Sequence, residues 1–142
     1  MPTLAIIDMQ PCESPSQQSV DANVKLAKWY RKRKYPVVLV YYAPDAIHPE
    51  IENALNGYEH VAKVNKANWD GSEEILQICR ERQFPTKHVR LSGTMTCCCV
   101  RRTWEGLKEK LPKARVATYH EAVYCRCGCH PKGKLISFPK AA

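Results

Sequence analysis

What the chain lacks narrows its class before any motif is read. It contains no apolar run near the roughly 20 residues that a membrane span needs. No basic segment precedes its first apolar stretch, MPTLAII, which breaks at Asp8. A secretory signal is therefore not expected, and a reducing, cytoplasmic setting is. Low-complexity tracts, internal repeats and linkers are also missing from the 142 residues, so one domain spanning 1–142 is expected. Acidic residues are few, 14 against 22 Lys and Arg, and the formal net charge of +8 favours anionic ligands. The basic residues are dispersed, however. The one dense run, Arg31-Lys32-Arg33-Lys34, falls where a first helix should end and complements its dipole. A small-molecule substrate is expected ahead of nucleic acid, and no membrane.

Cysteine is plentiful, with eight residues. In a reducing compartment these are catalytic, metal-binding or buried more often than paired. Cys97, Cys98 and Cys99 are consecutive, while Cys125, Cys127 and Cys129 alternate. Neighbouring cysteines are poorly placed to pair with each other without strain.

Apolar patterning gives the layout. Thr3 to Ile7 reads as a buried strand ending at Asp8. Val20, Val24, Ala27 and Tyr30 recur at helical spacing over 19–32, and Val37 to Tyr42 is β-branched and aromatic, as in a central strand. Residues 43–60 look irregular, and Val61 to Val64 suggests a short strand. Ser72 is expected to cap a helix carrying Ile75, Ile78 and Cys79 inward. His88 to Leu91 is a strand breaking at Ser92-Gly93. A helix on Val100, Trp104, Leu107 and Leu111 then runs to Pro112, and Ala114 to Tyr119 is a last strand. Strands alternating with helices predict an α/β three-layer sandwich, a mostly parallel sheet with helices on both faces. Ligands in such sheets bind beyond the carboxyl ends of the strands.

Asp8 stands at one such end; alone, it reads more readily as a turn or cap carboxylate. The stronger signal is Gly93-Thr94-Met95-Thr96-Cys97-Cys98-Cys99-Val100, a strand, a tight turn and a helix with cysteines in its first turn. A thiol there feels the positive end of the dipole, which lowers its pKa, and free backbone N–H groups can hold an oxyanion. Small buried cysteines packing a helix on a sheet are the plainer alternative.

GTMTCCCVRRT resembles the G-x-x-T-x-x-C-V-x-x-T pattern of the isochorismatase-like cysteine hydrolases, which include nicotinamidases. The register runs through Gly93, Thr96, Cys99, Val100 and Thr103, and selects Cys99 as nucleophile. AIIDMQ is similar to the family's first strand, which makes Asp8 the general base. The family's lysine stands six residues before an aromatic, which points to Lys63 ahead of Trp69, with Lys66 as the rival. Glu121-Ala122 resembles a strand-end Asp-Ala pair, and His130 a later histidine. By the same resemblance, the Thr94–Met95 peptide is cis and the N–H groups of Met95 and Cys99 form an oxyanion hole. Trp69, Thr94 and His130 would line the substrate pocket. The implied activity is hydrolysis of a small amide or related carbonyl compound through a thioester, and the family commonly forms homo-oligomers. The nicotinamidase metal pattern is unmatched, since Asp45 and His48 have the wrong spacing and His60 stands alone; no catalytic metal and no cofactor are expected.

CRCGCH is not explained by the resemblance. Cys125, Cys127, Cys129 and His130 are zinc ligands by type, but C-x-C-x-C lacks the usual C-x2–4-C spacing. Structural zinc, redox-active thiols and an inert rim of the active-site mouth stay open, the last preferred. Two whole-chain alternatives also stand: a catalytically retired member of the fold that binds an anionic partner, and a cysteine-based metal or redox module.

Overall fold

A computed structural model describes residues 1–131 and 133–139. Strands β1 (Thr3–Ile7), β2 (Val37–Tyr41), β3 (Val61–Asn65), β4 (His88–Thr94), β5 (Arg115–Tyr124) and β6 (Leu135–Ile136) form one sheet in the order β3-β2-β1-β4-β5-β6. Every pairing is parallel. The helices are α1 (Gln17–Lys32), α2 (Pro49–Leu55), α3 (Ser72–Arg82) and α4 (Arg101–Lys110). The chain runs outward from β1 through β2 to β3, then returns to place β4 on the other side of β1. The order reverses between β1 and β4, and in open sheets that reversal opens a crevice at the carboxyl edge.

β1 is apolar from Leu4 to Ile7 because both of its faces are covered. Leu4 and Ile6 pack with Val20, Leu26, Ala27 and Tyr30 of α1 and with Ile51 and Leu55 of α2. Ala5 and Ile7 pack on the opposite face with Ile75, Leu76 and Cys79 of α3 and Leu107 of α4. The three layers follow from this alternation.

Several elements depart from the sequence reading. α1 begins earlier than expected, where the Ser16 hydroxyl accepts from Ser19 N at 3.1 Å. α2 lies inside the stretch that reads as irregular. Its signals were short: Pro49 at the first turn, Glu50 and Glu52 near the dipole's positive end, and Ile51 with Leu55 buried one turn apart. Gly71, not Ser72, is the N-cap residue of α3, and the Asp70 carboxylate takes the Ser72 N–H at 2.8 Å. β4 continues to Thr94, and β5 to Tyr124 across an irregularity in register. The basic run does end α1, but Arg31 is docked: its guanidinium donates to the carbonyls of Ala54 (3.1 Å) and Asn56 (2.8 Å) beside α2.

Candidate active site

Asp8 is the first residue beyond β1 and is fully buried. Its φ of 52° is left-handed, a conformation Asp adopts at modest cost. Three backbone hydrogen bonds hold it there: Asp8 N donates to Val40 O (2.9 Å), and Asp8 O accepts from Gln10 N (2.8 Å) and from the Thr94 hydroxyl (2.8 Å). Thr94 therefore ties the end of β4 to the end of β1. The same junction requires Gly93, whose φ is +114° and whose added Cβ would run into the Ile7 carbonyl.

After β4 the chain crosses a cis Thr94–Met95 peptide and enters a π-helical turn, Thr96–Val100, that leads into α4. Met95 O accepts from Cys98 N and Val100 N, both at 3.1 Å. Of the consecutive cysteines, Cys99 is the buried one, 8 % exposed, while Cys97 and Cys98 are half-buried. Cys99 also lines a cavity of about 510 Å³ together with Tyr42, Asn68, Trp69 and Lys66.

The lysine brought to Asp8 and Cys99 is Lys66, and this corrects the assignment of Lys63. Lys66 Nζ lies 3.1 Å from Asp8 Oδ2, donates to Cys99 Sγ at 3.3 Å, and donates to Asn68 O at 3.0 Å. Lys63 pairs in register with Leu39, so it points to the α1/α2 face. There it is half-exposed and forms an ion pair with Glu52 at 2.7 Å. A legible signal favoured Lys66. Asp8 comes one residue after β1, and Lys66 comes one residue after β3, whereas Lys63 is mid-strand.

Electrostatics differ from the dipole argument as well. Burial, with the Asp8 carboxylate alongside, pushes the Cys99 thiol up to about 12, against the lowering effect of Lys66. Burial likewise raises Asp8, offset in part by Cys99 and Lys66. The desolvation of a site closed on most sides outweighs one helix turn. At neutral pH the thiol keeps its proton, with the Asp8 carboxylate beside it. The buried Asp8 carboxylate has the Lys66 ammonium, 3.1 Å from Oδ2, and the Cys99 thiol as its side-chain partners, so it is held close to a cation yet away from water.

The remaining expectations divide. Trp69 lines the cavity and is 60 % exposed at its mouth. Thr94 is fully buried and acts on the Asp8 backbone. His130 is exposed and does not line the cavity. Glu121 lies within β5 rather than at its end, and its carboxylate accepts from Phe138 N at 2.8 Å. His48 caps α2 through a ring nitrogen accepting from Glu50 N (3.3 Å), and His60 is paired with Glu59 (3.1 Å). Neither histidine belongs to a set able to hold a metal; among the described residues that set is Cys97, Cys125, Cys127 and Cys129.

Comparison with solved structures decides the architecture. A nicotinamidase from Staphylococcus aureus superposes with a TM-score of 0.74 at 15% identity, covering 88% of this chain and 85% of its own. N-carbamoylsarcosine amidase from Thermoplasma acidophilum gives 0.69 at 19% identity, over 88% and 84%. An isochorismatase family protein from Burkholderia thailandensis gives 0.66 at 22% identity, over 86% and 78%. The chain has the isochorismatase-like fold. No family model and no curated protein sequence matches it. The fold's reversal point is where Asp8, Lys66 and Cys99 meet.

Proposed function

We propose that this chain is a cysteine-dependent hydrolase of small amides or related carbonyl compounds. One observation carries the reading: a buried lysine lies 3.1 Å from a buried carboxylate and 3.3 Å from a buried thiol at the wall of one cavity. A structural role alone explains this poorly, because burying a charged pair costs several kcal/mol per ion. The resemblance of GTMTCCCV to the hydrolase motif and the amidases among the structural relatives support the same reading.

The chemistry follows from the positions. Asp8 removes the Cys99 proton as sulfur attacks the substrate carbonyl carbon. Lys66 then offsets the negative charge that passes from carboxylate to sulfur. The oxyanion of the tetrahedral intermediate is taken by the N–H groups of Met95 and Cys99. Collapse breaks the C–N bond, Asp8 returns its proton to the leaving amine, and a thioester remains. Water, deprotonated by Asp8, hydrolyses the thioester to the carboxylic acid and restores the thiol. Trp69 and Tyr42 give the cavity flat apolar surface, and Asn68 gives it polar groups.

The test is a small-amide hydrolysis screen of wild type beside Cys99→Ser, with intact-mass detection of an acyl adduct mapped to Cys99. Amine release by wild type, an adduct on Cys99 and an inactive variant are expected. Undiminished turnover by Cys99→Ser would overturn the mechanism.

A further inference from the structure

Four of the eight cysteines converge outside the catalytic trio. Cys97 comes from the π-helical turn after β4, and Cys125, Cys127 and Cys129 come from the loop that follows β5. Their sulfur atoms all lie within 4.8 Å of one another. Individual separations are 3.4 Å for Cys97–Cys125, 3.7 Å for Cys97–Cys127 and 3.0 Å for Cys125–Cys127. Zn–S bonds of about 2.3 Å in a tetrahedron place sulfurs roughly 3.8 Å apart; these three separations fall short of that value and no pair exceeds 4.8 Å, so a small outward adjustment of the thiols makes a tetrahedral site.

From this we infer that Cys97, Cys125, Cys127 and Cys129 bind one zinc ion as a structural tetrathiolate centre. The short loop does not have to wrap the ion by itself, because the fourth ligand comes from a different strand end. The turn at Gly128 supplies the curvature that a C-x-C-x-C run otherwise lacks: its φ is +71°, and its N–H donates to Cys125 O at 3.0 Å. Nothing lies within 4 Å of where a Cβ would be, so glycine serves the conformation and not the packing. His130 is not part of the convergent set, which revises the ligand list drawn from the sequence.

Zinc is the metal that the donors favour, since four thiolates in tetrahedral array suit a closed structural site. A redox disulfide needs two thiols, and here four converge. Binding would release the four thiol protons to solvent and leave a dianionic centre. Arg126 lies between two of the ligands, in a chain of formal net charge +8 that can carry such a centre. The ion would clamp the loop after β5 to the turn that carries Cys99, two residues beyond Cys97. Cys99 itself takes no part, so the inference stands or falls independently of the hydrolase reading.

The experiment measures metal in the full chain purified under reducing conditions without chelator or added metal. One zinc per chain is expected. Stripped protein titrated with Co²⁺ alone should develop thiolate-to-cobalt charge-transfer bands and tetrahedral d–d bands, saturating at one equivalent and abolished by Zn²⁺. Cys127→Ser removes the exposed ligand and should lose the charge-transfer intensity of one thiolate together with tight binding. Cys12→Ser, outside the cluster, should behave as wild type. Wild type that takes up no zinc and shows no cobalt bands overturns the site, and needs no variant to fold. So does peptide mapping that finds these cysteines disulfide-bonded in reducing buffer, or recovery of iron in place of zinc.

Discussion

Lys66 Nζ lies 3.1 Å from Asp8 Oδ2, with the side chains only 3 % and 1 % exposed, and the same nitrogen reaches the Cys99 sulfur at 3.3 Å. A charge pair excluded from water to this degree is strongly coupled, and most predictions follow from that coupling.

Exchange of the two lysines gives the sharpest contrast. Lys66→Met keeps the stem but removes the charge, and amide turnover should fall by about 10²- to 10⁴-fold. Lys63→Met breaks only a half-exposed pair with Glu52, worth about 1 kcal/mol or less, and should leave turnover near wild type. Steady-state rates on whichever amide the screen identifies decide it; an inactive Lys63→Met beside an active Lys66→Met reverses the assignment.

Asp8→Asn should separate thiol reactivity from catalysis. The Asp8 carboxylate is one cause of the thiol's rise to about 12, so removing its charge while Lys66 stays lowers that value. Iodoacetamide should then modify Cys99 faster at neutral pH than in wild type, although turnover collapses for want of a base. Alkylation rates by peptide mapping, measured across pH, test the sign; slower labelling in Asp8→Asn would contradict it.

Stability should show the same coupling. Lys66→Met leaves a buried carboxylate unpaired and should cost about 3–5 kcal/mol at pH 7, whereas the double variant Asp8→Asn/Lys66→Met should recover most of that loss. The loss in Lys66→Met should also shrink on acidification. The folded pKa of Asp8 is raised above 3.8, so the native state takes up the proton before the unfolded chain does, and stability rises as pH falls through that window. Urea denaturation at several pH values reads both effects.

Gly93→Ala should destabilise far more than Gly128→Ala. Both glycines have positive φ, but only Gly93 faces backbone, the Ile7 carbonyl, where a methyl would sit. The Gly128 change carries conformational strain of about 1–3 kcal/mol, and Gly93→Ala should exceed it through the added clash between β1 and β4. Thermal midpoints rank the two.

The layout was legible wherever an element is long and apolar on one or both faces, as in β1, α1 and β2. The motif register likewise singled out the one buried cysteine of the trio. α2 and β6 escaped because seven residues and two residues are too short for periodicity to register. Lys66 ranks behind Lys63 in the sequence because spacing to Trp69 favours Lys63, whereas position after a strand favours Lys66. The Cys99 pKa ran opposite to the dipole argument because burial by distant segments is invisible in a local motif. Cys97 and the loop after β5 are separated by 28 residues or more, so their convergence belongs to the register of β4 with β5.

The strand order also dictates which kind of cation can serve. Asp8 leaves β1, and Cys99 follows β4 immediately beside it, but the residue after β3 starts two strands away from Asp8. At about 4.8 Å per strand, that is a gap of nearly 10 Å between backbones, which must be crossed by a side chain. The four-carbon arm of lysine bridges much of it and delivers a compact charge to both partners. A histidine at position 66, or an amine on a shorter arm, would stop short of Asp8, so the length of the tether is as much a requirement of the site as the charge it carries.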